Sequence, residues 1–202
     1  MSHVADRMTP RATTMIRMDH SHVLALFHRF KADTSVGKKR ALVANACLAL
    51  EVHAQLEEEI FYPALRAVIA GDATLEKSEP EHNEMRRLIA ELRELAADDG
   101  PIDGLAFDDK FMDLMRIVIH HVADEETRLL PAAERLLGDR LNQLGSDMIK
   151  RRVELLRPHV GELAASTMRS FPSAAAAGLL LTAGAVMVGA MLLTRRADTR
   201  LH

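Results

Sequence analysis

One string occurs twice in this chain, as HAQLEEEIFYP from His53 and as HVADEETRLLP from His121. In each copy the His is followed by Glu at four and at five residues and by Pro at ten, at 53/57/58/63 and 121/125/126/131. Residues four apart lie one above the other on an α-helical face. Each copy therefore describes a helix that presents an imidazole and a carboxylate together, and something in this chain is built twice.

The composition agrees with helices. The chain has 202 residues, room for one ordinary domain and some extra, and is 48% hydrophobic with one Tyr, six Phe and no Trp. Its apolar content is thus Ala, Leu, Val, Ile and Met, which favour helices over sheets. A net charge of −3 with interleaved signs gives no basic stripe for phosphates, so nucleic acid is not an expected partner. The single cysteine, Cys47, forms no internal disulfide or CxxC pair and reads as a small core residue. MSHVADRMTPRATTM has no apolar core of the kind a secretory signal needs.

The far end reads differently. Residues 174–193, AAAAGLLLTAGAVMVGAMLL, are 20 uncharged residues followed by Thr194, Arg195 and Arg196. As a helix the run would be about 30 Å long, the thickness of a bilayer core, and we expect one transmembrane helix there. Ala and Gly supply half of it, so a buried Ala-rich helix is the alternative. Ala185 and Gly189 are spaced to let two such helices pair as a homodimer.

Five helical segments precede the run, at about 19–31, 38–70, 78–97, 105–137 and 139–168, with Pro80 in the first turn of the third. The short connections make the first four an up-down-up-down bundle. The expected architecture is all-α: a four-helix bundle over 1–137, an extra C-terminal helix as stalk or linker over 138–172, a single transmembrane helix over 173–194 and a basic tail over 195–202. The expected location is a single-pass membrane protein, anchored at its C-terminus, with the N-terminal domain cytoplasmic.

The polar pairs fall on apolar stripes. His53 and Glu57 share one with Ala46, Leu50, Ile60 and Ala64, and His121 and Glu125 share one with Leu114, Ile117, Leu129 and Ala132. His20 stands above Val23, Leu24 and Phe27, and His82 above Met85, Ile89 and Leu92; each follows an acid, Asp19 or Glu81. The repeat unit is a helical hairpin that brings two imidazoles and one carboxylate inward. Burying such groups costs several kcal/mol each unless something pairs with them. A pair of divalent cations does so, and nitrogen and oxygen ligands without thiolate suit iron, manganese or zinc, with bridging carboxylates in a bundle favouring iron. Glu58 and Glu126 read as acceptors for ligand imidazoles or as solvated charges. His22, His120, His3, His28, His159 and His202 show no matching partner.

DHSHVLALF, HAQLEEEIFYP, EHNEMRRLI and HVADEETRLLP together resemble the four helices of a hemerythrin-like (HHE cation-binding) domain, over roughly residues 10–137. The resemblance implies two iron ions in a non-haem di-iron centre, with manganese or zinc less favoured. It implies His20, His53, Glu57, His82, His121 and Glu125 as ligands and the two glutamates as bridges. Oxygen-carrying hemerythrins typically have a second histidine one turn after the first on the third helix, where this chain has Arg86. One iron is then expected to lack an imidazole and to stand open to water, to an acid such as Glu81, or to an exogenous ligand. The implied function is binding of dioxygen or a related ligand such as nitric oxide or peroxide, or sensing of iron or redox state, at a membrane. A di-iron oxidase or peroxidase and a metal-free interaction module are the alternatives, and a binding protein is favoured over an enzyme.

Overall fold

The computed structural model describes residues 10–97 and 104–161. Among them the chain forms helices α1 (Ala12–Arg29), α2 (Val36–Leu56), α3 (Tyr62–Arg66), α4 (Ala73–Ala96), α5 (Gly104–Asp124), α6 (Leu130–Leu137) and α7 (Arg140–Leu156), with no strand. α1 packs on α2, α2 on α4, α4 on α5 and α5 on α1, which closes the ring of a four-helix bundle. α2 continues into α3, and α5 into α6, through π-helical turns at Glu57–Phe61 and Glu125–Leu129. In each the bond runs from five residues on: Tyr62 N–H donates to Glu57 O, and Leu130 N–H to Glu125 O.

Pro63 and Pro131 follow these turns at once. A proline inside a helix has no N–H for the carbonyl four residues back and its ring crowds that carbonyl. A π turn just ahead of it accommodates the interruption, and such single turns inside helices recur at functional sites.

Two helix starts lie more than a turn ahead of the sequence reading. α1 starts at Ala12, because Ala12, Met15 and Ile16 are buried against α7 and its neighbours; the stripe extends a further two turns beyond the histidine. α4 starts at Ala73, so Pro80 lies in its interior. Asp72 fixes that start, accepting from Thr74 N at 2.9 Å and Leu75 N at 3.1 Å, a cap that holds the helix ahead of the proline.

Two apolar clusters fill the interior. One gathers Ile16, Leu56, Phe61, Tyr62, Leu65, Leu129 and Leu130 with Leu141 and Met148 of α7. The other gathers Val23, Phe27, Leu42, Leu50, Met85, Leu92, Phe111, Leu114 and Val118. Along the four bundle helices α1, α2, α4 and α5 and their π turns, the histidines and ligand-type glutamates fall between the two clusters, as one polar layer sealed from both sides.

The expected transmembrane helix requires correction. No helix among the described residues is long and apolar enough to cross a membrane; each carries charged residues on its outer face. The 174–193 run, half Ala and Gly, lies outside the described residues. The single-pass, C-terminally anchored location with a cytoplasmic N-terminal domain falls with it, as does pairing through Ala185 and Gly189.

Candidate metal centre

All six side chains singled out by the duplication converge on the polar layer. His20, His53, Glu57 and Glu125 each offer an atom within 4.8 Å of the others, and Glu57, His82 and His121 form a second such group. Glu57 belongs to both. None of the six is more than 5% exposed. Each π turn opens on a glutamate of this set, and in the first copy the residue five positions on, Tyr62, reaches the same layer.

The donor geometry tests whether cations fit. His82 Nδ1 lies 2.9 Å from Glu58 Oε1, and His121 Nδ1 lies 2.9 Å from Glu81 Oε2. A carboxylate only accepts, so each Nδ1 carries its ring's proton, which leaves a lone pair on each Nε2 when the ring is neutral. Those two Nε2 atoms face each other at 3.1 Å, an arrangement that needs a proton or a cation between them. His20 repeats the motif, with Nδ1 2.9 Å from Glu126 Oε1 and Nε2 3.1 Å from Glu125 Oε2. Both His53 nitrogens and Glu57 Oε1 are buried without a hydrogen-bond partner among the described residues. Four imidazole nitrogens and two carboxylates pointed at one another in a dry layer fit a pair of divalent ions.

Four further acids stand behind the four imidazoles, three of them in hydrogen-bond contact and Asp19 close by, and the pattern is twofold. Asp19 faces His53 Nδ1 at 3.5 Å, and Glu81 faces His121; Glu58 faces His82, and Glu126 faces His20. Each acid in turn meets a cation: Arg152 on Asp19, Lys77 on Glu81, Arg86 on Glu58 and Arg17 on Glu126. Carboxylates behind ligand imidazoles fix ring orientation and raise donor strength. Arg86 is thereby placed: it donates to Glu58 Oε2 at 2.6 Å and to Asn83, facing away from the cavity. Glu81 likewise serves His121 and is not in the central groups. The DH and EH dipeptides held the signal for Asp19 and Glu81, since an acid one residue before an inward His repeats in both halves.

Tyr62 was not anticipated. Its hydroxyl is buried 3.1 Å from Glu57 Oε2 and 2.9 Å from Glu125 Oε1, and its ring stacks on His82 at 5.7 Å. The equivalent position in the second copy is Leu130, so the phenol serves both halves from one side. Its signal was available five residues after Glu57, at the end of the π turn.

Electrostatics without metal follow from this crowding. Burial and the neighbouring Glu125 charge push the Glu57 carboxyl well above its ordinary range. Burial also pushes Glu125 upward, but the His20 hydrogen bond and the surrounding imidazoles outweigh it and hold Glu125 below that range. Burial lowers His20, yet Glu125 and Glu57 overcome this and raise it to about 9. Full burial brings His53 down to about 4. The crowding thus favours holding protons on His20 and Glu57, the positive charge that the donor set demands.

A cavity of about 10 Å³ adjoins the centre, lined by the four imidazoles, by Asp19 and by apolar side chains that include Val23, Leu50, Met85, Val118 and Val122; it has room for one water-sized guest. A third group, Glu81, His120 and Asp124, sits at the surface. There the Lys77 ammonium pairs with both acids and already supplies the cation.

Comparison with known proteins bears on the fold and the family. A curated relative, a DNA nickase from Nostoc sp., is 28% identical over 134 residues, which is 66% of this chain and 36% of the relative. The chain thus spans about a third of that protein's length. A crystal structure of a hemerythrin HHE cation-binding domain-containing protein from Mycobacterium kansasii has the same fold, with a TM-score of 0.60 at 19% identity, covering 83% of this chain and 97% of that one. The family model for the hemerythrin HHE cation-binding domain matches residues 11–133, the span that contains every histidine and glutamate of the buried layer. With that match over more than half its length, the chain belongs to the hemerythrin HHE cation-binding family.

Proposed function

We propose that the chain holds a non-haem di-iron centre, with His20, His53, Glu57, His82, His121 and Glu125 as its ligands and Glu57 and Glu125 as bridges. The observation that carries this reading is the pair of imidazole lone pairs facing at 3.1 Å inside a layer where Glu57 belongs to two donor groups. Iron held by these residues would supply the chemistry for binding dioxygen, nitric oxide or peroxide. The protein residues orient the donors through Asp19, Glu58, Glu81 and Glu126, exclude water with the two apolar clusters, and limit the guest to the small cavity beside Val23 and Met85.

Binding of a small ligand, or sensing of iron and redox state through it, is the reading we favour. The test is metal content per chain, by inductively coupled plasma mass spectrometry, for the full chain and for His53→Ala combined with His121→Ala. Two irons in the parent and a large loss in the double variant are expected. Little metal in either, with both helical, removes the reading.

A further inference from the structure

Three of the four cations behind the orienting acids come from the bundle itself. Arg17 lies on α1, and Lys77 and Arg86 on α4, all within the matched span 11–133. Asp19 differs: its cation is Arg152 on α7, 19 residues beyond the last matched one. The pairing is bidentate, Nη1 to Oδ1 at 2.7 Å and Nη2 to Oδ2 at 2.5 Å. Such a fork fixes the plane of a carboxylate as well as its position. The oxygen that faces His53 Nδ1 is the same Oδ2 that Arg152 holds.

α7 is seated firmly enough to transmit this. Leu141 and Met148 are fully buried against α1, α2 and their continuations. A Cβ on Gly145 would stand 2.1 Å from Pro10 O, so the helix reaches backbone contact with the start of α1. Arg151 donates to Glu59 at 2.7 and 3.1 Å, beside the first π turn.

We infer that Arg152 is a positioning residue of the metal centre: by clamping Asp19 it sets the orientation of His53, which makes α7 a working part of the His20/His53 half of the site. The inference rests on the di-metal reading. Its chemistry is that of other carboxylates behind ligand imidazoles, whose loss costs roughly tenfold to a hundredfold in metal affinity. The effect here is confined to one ion, because His82 and His121 take their orientation from Glu58 and Glu81.

The experiment is a cobalt(II) titration of the metal-stripped full chain, followed by calorimetry and by the visible bands of the bound ion. It compares the parent with Arg152→Met, Arg152→Lys and Arg151→Met. The expected result for Arg152→Met is a loss of roughly tenfold or more in affinity for one of two ions, with the other unchanged and altered bands for the weakened one. Arg152→Lys recovers part of the loss, and Arg151→Met, which removes a contact of the same helix with Glu59, binds both ions as the parent does. Parent-like titration of Arg152→Met overturns the inference. Equal weakening of both ions in Arg152→Met and Arg151→Met also overturns it, because helix docking alone then accounts for the effect. A parent that takes up no cobalt brings down the di-metal reading, and the inference with it.

Discussion

The metal-free protein is expected to lose stability as pH rises from neutral, and the metal-loaded protein is not. His20 sets the size of the effect. Its value when folded is about 9 against 6.5 unfolded, so the folded state binds that proton more tightly. The resulting stabilisation is complete below 6.5 and is lost as pH rises through about 9. At about 1.4 kcal/mol per decade the loss is about 3 kcal/mol. Glu57 works in the same direction, because burial and the Glu125 charge raise its carboxyl above the ordinary range, so the folded state holds that proton more tightly than the unfolded one. His53 is displaced downward to about 4 and acts in the opposite sense, below 6.5. Bound cations replace the protons on His20 and Glu57, so loading removes the dependence. Urea unfolding followed by far-ultraviolet circular dichroism, at pH 6.5 and 9, with chelator or with cobalt(II), measures it. A metal-free midpoint that stays level or rises over this range would falsify the account of the buried charges.

Three further outcomes are expected. Gly145→Ala forces a Cβ to 2.1 Å from Pro10 O; an overlap costing about 3 kcal/mol exceeds the gain of about 1 kcal/mol in helix propensity, and a more stable variant in urea would contradict the backbone contact. Tyr62→Phe strips the donor from Glu125 Oε1, a buried charged acceptor, and should destabilise the metal-free protein by about 2 kcal/mol; an unchanged midpoint would mean the hydroxyl holds nothing. Burial pushes the Cys47 thiol up to about 12, so at pH 8 it carries almost no thiolate. Iodoacetamide should label it only after unfolding, and labelling of the folded chain at the unfolded rate would show that the core admits solvent.

The buried layer was legible because duplication printed it twice. His53/Glu57 and His121/Glu125 share spacing and stripe, and an i, i+4 pair reports a helical face directly. Stripe edges were less visible. Leu24 is 36% exposed although it stands four residues from His20, while Leu26 is buried, because packing against two neighbours rotates the apolar arc by a residue. The π turns were hidden, since a bulge changes which residues align without changing composition; Pro63 and Pro131 were the trace they left. Arg152 had no local signal at all. Its partner is 133 residues away, and only the fold of α7 brings them together. The apolar 174–193 run shows the opposite failure, where length and lack of charge suggested a span that no described helix supports.

The orienting acids connect the two hairpins in a way that bears on how such a bundle arose. Glu58 in the first hairpin holds His82 in the second, and Glu126 in the second holds His20 in the first. Asp19 and Glu81 each stay within their own hairpin. One hairpin alone therefore leaves one imidazole without its acid and one acid without its imidazole, and a second copy turned by a half-rotation supplies both. That self-complementarity is the defining property of an isologous interface, so the present chain is the fused form of what two identical hairpins could build by association.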